Sequence, residues 1–247
     1  GLPTPELLII SPSDWIGEAQ RLAEFRRSHD KLEVTVVNLS QIYNEFSSGR
    51  QDVSAIRNFI RMLYRQDKRL KYVLLFGDAS YDYLDRVKDN NNQLPTYQSQ
   101  ISTHDVHSYA SDDFFGFLEI HEGEWLESGN KQEEHNLDIG IGRLPVNSQE
   151  QARNVVNKLI HYSSAPSSFG KWRNRILFVA DDGDNNKHQL MSDYLAREAE
   201  ELYPQLVSKR LFLDAFPQED YSAPEFKEAL KKNIDQGVLL VDFVGHG

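Results

Sequence analysis

Residues 237–247, Gly-Val-Leu-Leu-Val-Asp-Phe-Val-Gly-His-Gly, read as a buried apolar strand that runs into a histidine flanked by glycines, Gly245-His246-Gly247. Imidazole titrates near neutrality. Glycines on both sides allow a tight turn and the close approach of a partner or substrate. The pattern suits a general acid or base, with a plain turn residue as the alternative. A histidine alone does no nucleophilic catalysis. It needs a nucleophile within hydrogen-bond reach, and often a third group to orient it.

Asp181, Asp182 and Asp184 follow the apolar run 174–180. If the strands are parallel, they leave the sheet on the edge where His246 sits, so one of them can hydrogen-bond the imidazole and fix its tautomer. The same loop resembles the front half of a calcium loop. Asp182, Asp184 and Asn186 stand at alternate positions and Asp193 can close it, but Lys187 sits where such a loop needs glycine. A solvated acidic loop at a helix N-terminus is the competing reading. Asp78, and the pair Asp112 and Asp113, hold similar places after an earlier strand. They suit caps and turns, or a cation or basic substrate group. The candidate metal ligands are therefore Asp181, Asp184, Asn186, Asp112 and Asp113, with Ca2+ as the ion, although the chemistry read here requires no cofactor. His104, His107, His121 and His135 scatter through a polar stretch and form a weaker metal set.

Composition limits the alternatives. The chain has 247 residues, 39% hydrophobic and 26% charged, which fits a soluble globular α/β protein. A net charge of -11 lacks the basic footprint of a nucleic-acid partner. There is no cysteine, so a thiol nucleophile, a disulfide or a zinc–thiolate site cannot come from these residues. No stretch approaches the roughly 18 apolar residues of a membrane helix. The first residue is not Met and the last residues leave a strand, so the chain is expected to be a piece of a longer protein.

The elements that must position the site alternate. Strands are expected at 6–11, 32–38 and 72–77, with a helix capped by Asp14 and another over 53–65. Continuous apolar runs mark parallel strands covered on both faces. The pattern breaks from 79 to 136, a long insertion of the kind that is functional or partly mobile. A strand at 137–142 and a helix over 148–162 follow. The small, polar stretch 163–170 separates subdomains at 1–165 and 170–247. The second series has strands at 174–180, 207–213 and 237–244, with helices over 188–203 and 224–235.

The ordered motifs Tyr72-Val-Leu-Leu-Phe-Gly-Asp78, Ser111-Asp-Asp-Phe-Phe-Gly116, Ile139-Gly-Ile-Gly-Arg143 and Val241-Asp-Phe-Val-Gly-His-Gly247 resemble gingipain-type cysteine peptidases. Gly77-Asp-Ala-Ser-Tyr-Asp82, Leu94-Pro-Thr-Tyr-Gln-Ser99, Arg143-Leu-Pro-Val146 and Trp172-Arg-Asn174 look closer to the branch that serves as the type IX secretion system sortase of Bacteroidetes. The resemblance implies a caspase-like α/β fold of parallel sheets flanked by helices, in two subdomains. It implies a Cys-His dyad, with His246 as the catalytic histidine and Asp182 as its supporting acid. The family's cysteine would lie beyond Gly247, leaving this chain inactive by itself. Asp184 and Asn185 match the region that holds a basic substrate side chain.

The implied partners are polypeptide substrates and other secretion-system components, at the surface of a Gram-negative bacterium or secreted from it. A catalytically dead scaffold of the same fold and a flavodoxin-like small-ligand module are the rival classes. If the last strand lacks a neighbour, it becomes an open sheet edge that invites a dimer.

Overall fold

The computed structural model describes residues 3–99, 103, 108–122, 136–218 and 222–246. The chain forms two units, Gly1–Ser163 and Ser164–Gly247.

The first unit is built on a four-stranded parallel sheet in the order β2-β1-β3-β6. β1 (Leu7–Ser11) is buried along its whole length, with Leu8, Ile9 and Ile10 fully sealed. It pairs with β2 (Val34–Asn38) on one side and β3 (Tyr72–Phe76) on the other. A strand without a polar face needs cover on both sides. α3 (Val53–Asp67) supplies one cover through Ile56, Phe59, Ile60 and Leu63. α1 (Ile16–His29) and α4 (Gln149–Ser164) supply the other through Leu22, Ala23, Ala152 and Val156.

Local starts and stops follow side-chain chemistry. Asp52 caps α3 by accepting the Ser54 amide at 2.7 Å. Asp14 does not cap α1. A short 3-10 turn, Ser13–Trp15, precedes that helix, and Trp15 is drawn inward, where its indole donates to the Phe76 carbonyl at 2.8 Å. α2 (Leu39–Ser47), absent from the expected elements, is capped by Asn38 and buries Leu39 and Ile42.

The segment expected to be irregular is partly core. Phe114, Phe115 and Leu118 are buried beneath α3, and Tyr97 stacks on Phe114 with ring centroids 4.8 Å apart. β4 (Tyr97–Gln98) and β5 (Ala110–Ser111) form a small antiparallel pair there. His104, His107 and His135 lie outside the described residues. β6 (Gly140–Leu144) then pairs with β3.

Arg143, inside β6, ties this segment down. Its Nε and Nη2 donate to the two carboxylate oxygens of Asp112, both at 2.7 Å. Its Nη1 donates to the carbonyls of Gly77 at 2.7 Å and Leu94 at 2.8 Å. Asp112, a candidate cation ligand by sequence, thus has both oxygens taken by a guanidinium. Asp113 opens a short 3-10 turn, its amide donating to Ser111 Oγ. Arg143→Ala should destabilise the first unit by about 3 kcal/mol, because it strands a half-buried carboxylate and two carbonyls. Urea unfolding would measure this. Arg143→Lys should recover little of the loss, since an ammonium cannot make the two-oxygen fork.

The second unit has three parallel strands in the order β8-β7-β9, namely β8 (Val207–Phe212), β7 (Arg175–Ala180) and β9 (Leu240–Val244). Alternation along β7 divides its core between two helices. Ile176 and Phe178 pack with Ala196 of α5 (Gly183–Leu202), while Leu177 and Val179 face Phe226, Ala229 and Leu230 of α6 (Pro224–Asp235). β9 is the open sheet edge expected if the last strand lacks a neighbour, and it is less buried than its apolar run suggests. Among the described residues it pairs only with β7, and Leu240, Val241 and Phe243 remain exposed at 53%, 40% and 54%. It lies at the sheet edge, where its apolar faces are not covered.

Candidate active site

Register builds this site. Ala180 of β7 lies opposite Val244 of β9, and the Asp181 amide extends the ladder to the Val244 carbonyl at 3.4 Å. Asp181 therefore leaves the sheet directly beside Gly245 and His246. Its Oδ2 accepts the His246 amide at 2.7 Å and lies 3.2 Å from His246 Nδ1. Its Oδ1 accepts the Gly183 amide at 3.1 Å and meets His188 Nδ1 in a short hydrogen bond. The two imidazoles meet edge-on, with centroids 4.7 Å apart and planes at 68°.

Two glycines permit this approach by lacking a side chain. A Cβ on Gly245 would stand 2.8 Å from Asp181 Cγ, and one on Gly183 would stand 2.8 Å from His246 Nδ1. Gly247 lies outside the described residues.

The charge pattern follows from these bonds. Partial desolvation raises the Asp181 carboxyl, but the His246 amide, the His188 ring, the Gly183 amide and the His246 ring outweigh it and hold the group well below the usual carboxylate range. An ionised carboxylate only accepts. Both Nδ1 atoms therefore carry their protons toward Asp181, and Nε2 of His246 is left to accept one. The His246 side chain is 64% exposed against 18% for Asp181, so the ring is anchored at one nitrogen and open to solvent elsewhere.

A depressed folded-state pKa stabilises the fold fully above the unfolded value, near 3.9 for aspartate, and is lost as pH falls through the folded value. The second unit should therefore weaken on acidification below about pH 5. In a urea series across pH 2–7, Asp181→Asn should flatten that slope. An unchanged slope would show that Asp181 is not held by these bonds.

Of the other sequence candidates, only Asp184 reaches the two rings. Asp182, expected to support the histidine, accepts from Gln218 Nε2 at 2.6 Å instead, and Asp181 occupies the place against His246. Asp184, Asn185 and Asn186 run consecutively through left-handed backbone, with φ of 52°, 56° and 62°. Asp and Asn tolerate that region better than other side chains, yet three in succession are costly, and such conformations gather at functional loops. Asp184 Oδ2 lies 3.7 Å from His188 Nε2 and 4.0 Å from His246 Nε2. Asp193, the expected closing ligand of a calcium loop, is committed to Arg210 and Arg197, each at 2.6 Å. In the sequence His188 marks only the start of the helix expected over 188–203. Its spacing of four from Asp184 and seven from Asp181 was the available signal.

A histidine anchored by a carboxylate at the carboxyl edge of a parallel sheet has the chemistry of a general base, and such a base serves nucleophilic hydrolases. The comparisons with known proteins give that class a family. Residues 2–247 match the family model for Peptidase family C25, so the chain belongs to this gingipain family of cysteine peptidases.

Among solved structures, the dimeric latent PorU from Porphyromonas gingivalis is 33% identical with a TM-score of 0.53, over 64% of this chain and 15% of that one. The Arg-specific cysteine proteinase gingipain R (RgpB) is 19% identical with a TM-score of 0.66, over 100% of this chain and 48% of that one. A complex of the Porphyromonas gingivalis RgpB pro- and mature domains gives 18% and 0.64, over 98% and 48%. The last two establish the fold, parallel sheets flanked by helices as in gingipains. The chain spans less than half the length of each of these structures. A comparison with curated proteins found no match. No described helix is long and apolar enough to cross a membrane.

Proposed function

We propose that this chain is the part of a gingipain-type peptidase domain that supplies the general base, His246, and its orienting carboxylate, Asp181. The observation that carries the reading is the pair of contacts from one Asp181 oxygen to the backbone amide and the ring of His246. The nucleophile is a cysteine outside these 247 residues, which contain none. His246 Nε2 takes the thiol proton, the thiolate attacks the substrate carbonyl, and the imidazolium returns that proton to the leaving amine as the C–N bond breaks, which leaves a thioester acyl-enzyme. Asp181 keeps the ring in register while it carries that proton. Water, or an acceptor amine in a sortase-type member, then releases the acyl group. The mechanism requires no cofactor.

The 33% identity to PorU over the matched part supports a sortase-type member. Secreted polypeptides are then the substrates, secretion-system components the partners, and the surface of a Gram-negative bacterium, or the medium outside it, the place of action. Asp184, with Asn185 beside it, stands exposed next to the two imidazoles and is available to a basic substrate side chain.

The test uses the longer polypeptide that carries this chain. A thiol-directed inactivator should abolish peptide cleavage and label one cysteine outside residues 1–247, while the 247-residue chain alone should cleave nothing. Cleavage by the cysteine-free chain would overturn the proposal.

A further inference from the structure

Asp181, His188 and His246 each offer one ligand atom, and these atoms all lie within 4.8 Å of one another. A tetrahedral zinc-class ion binds imidazole nitrogen and carboxylate oxygen at about 2.0–2.2 Å, which places neighbouring ligand atoms roughly 3.3–3.5 Å apart. The contacts already present lie inside that spacing, with the whole set within 4.8 Å. His246 Nδ1 lies 3.2 Å from Asp181 Oδ2, and His188 Nδ1 touches Oδ1 directly. Admitting an ion requires the groups to part slightly, and His246 is the exposed member, its side chain 64% exposed.

We propose that this cluster is a binding site for a borderline divalent transition-metal ion of the zinc class, and that its occupancy withdraws His246 from proton transfer. Two imidazoles and one carboxylate select such ions over calcium or magnesium, which take oxygen ligands. With both Nδ1 atoms on the ion, the Nε2–H groups turn toward Asp184, now 3.7 and 4.0 Å away. Ring nitrogens opposite a metal commonly donate to an outer carboxylate of this kind, which fixes ring orientation. Bound Zn2+ needs the two imidazoles neutral, so it competes with any imidazolium formed in catalysis. His188 is the decisive residue, because the peptidase chemistry does not require a second histidine beside the base. The binding step is independent of the peptidase reading. Only its inhibitory consequence rests on that reading.

The untagged 247-residue chain is suited to the test, since its lack of cysteine removes thiolate binding from the background. Calorimetric titration with Zn2+ at neutral pH should show one site in the micromolar range or tighter, and Co2+ should give the visible absorption of a tetrahedral complex. His188→Gln and His246→Gln should each weaken binding at least tenfold, the surface control His29→Ala should not, and excess Ca2+ should not displace the ion. Histidine ring NMR signals should shift for His188 and His246 on adding Zn2+, which reads the site even if one variant folds poorly. No binding below millimolar Zn2+, or ring shifts confined to other histidines, would overturn the proposal. A carboxylate shared by two imidazoles through hydrogen bonds alone would then be the whole role of the cluster.

Discussion

His246→Ala, made in the longer polypeptide that also carries the nucleophilic cysteine, is expected to lower kcat/KM for peptide cleavage by about 10^4-fold or more. The loss should fall on kcat, because the ring takes a proton in the reaction and is not required to hold substrate. Alanine removes the acceptor at Nε2 but keeps the backbone amide that bonds Asp181 at 2.7 Å. The strand exit and the sheet register should therefore survive, and circular dichroism and the unfolding midpoint should stay near those of the parent. A variant that retains a tenth of the activity would remove His246 from the reaction.

The second large effect separates two adjacent aspartates. Asp181→Asn should lower kcat by about 10^3 to 10^4, the scale seen when an orienting carboxylate becomes an amide that can present the wrong polar atom to the imidazole. Asp182→Asn should leave the rate nearly unchanged, since Asp182 is bonded to Gln218 and not to the ring. Steady-state kinetics on the two variants, side by side, measure the contrast. The reverse ranking would place the supporting acid at Asp182 and make the Asp181 contacts incidental.

That one-residue distinction marks where sequence reading ran out. Apolar runs and helical spacing are enough to place the parallel strands of both units and the helix at Pro224–Asp235, because those patterns reflect burial directly, but not the short pair β4 and β5. His246 was legible from its flanking glycines. Whether Asp181 or Asp182 meets it depends on register, here Ala180 opposite Val244. In an extended chain, neighbouring side chains point to opposite sides, so a shift of one residue exchanges them. Composition contains no record of that choice.

Other features follow the same logic. The apolar run in β9 signals cover on both faces, whereas its place at the sheet edge is the one expected if that strand lacks a neighbour. The phenylalanines at 114 and 115 were noted as part of a motif, although their burial under α3 explains why the long insertion is partly ordered. α2 carried a readable stripe, Leu39, Ile42, Tyr43 and Phe46 at helical spacing with Asn38 as its cap, and only its nine-residue length made it easy to pass over. His188 was missed because a lone histidine on a helix is usually surface. Its role is visible only once Asp181 is seen to bond two rings.

The most direct test of the account is the tautomer of His246, read by two-bond 1H–15N NMR on the 247-residue chain at neutral pH. The account predicts that the neutral form of the ring carries its proton at Nδ1, with Nε2 unprotonated, and predicts that Asp181→Asn, but not Asp182→Asn, changes that pattern. A ring protonated at Nε2 in the parent chain, or a pattern that responds to Asp182→Asn and ignores Asp181→Asn, would contradict it.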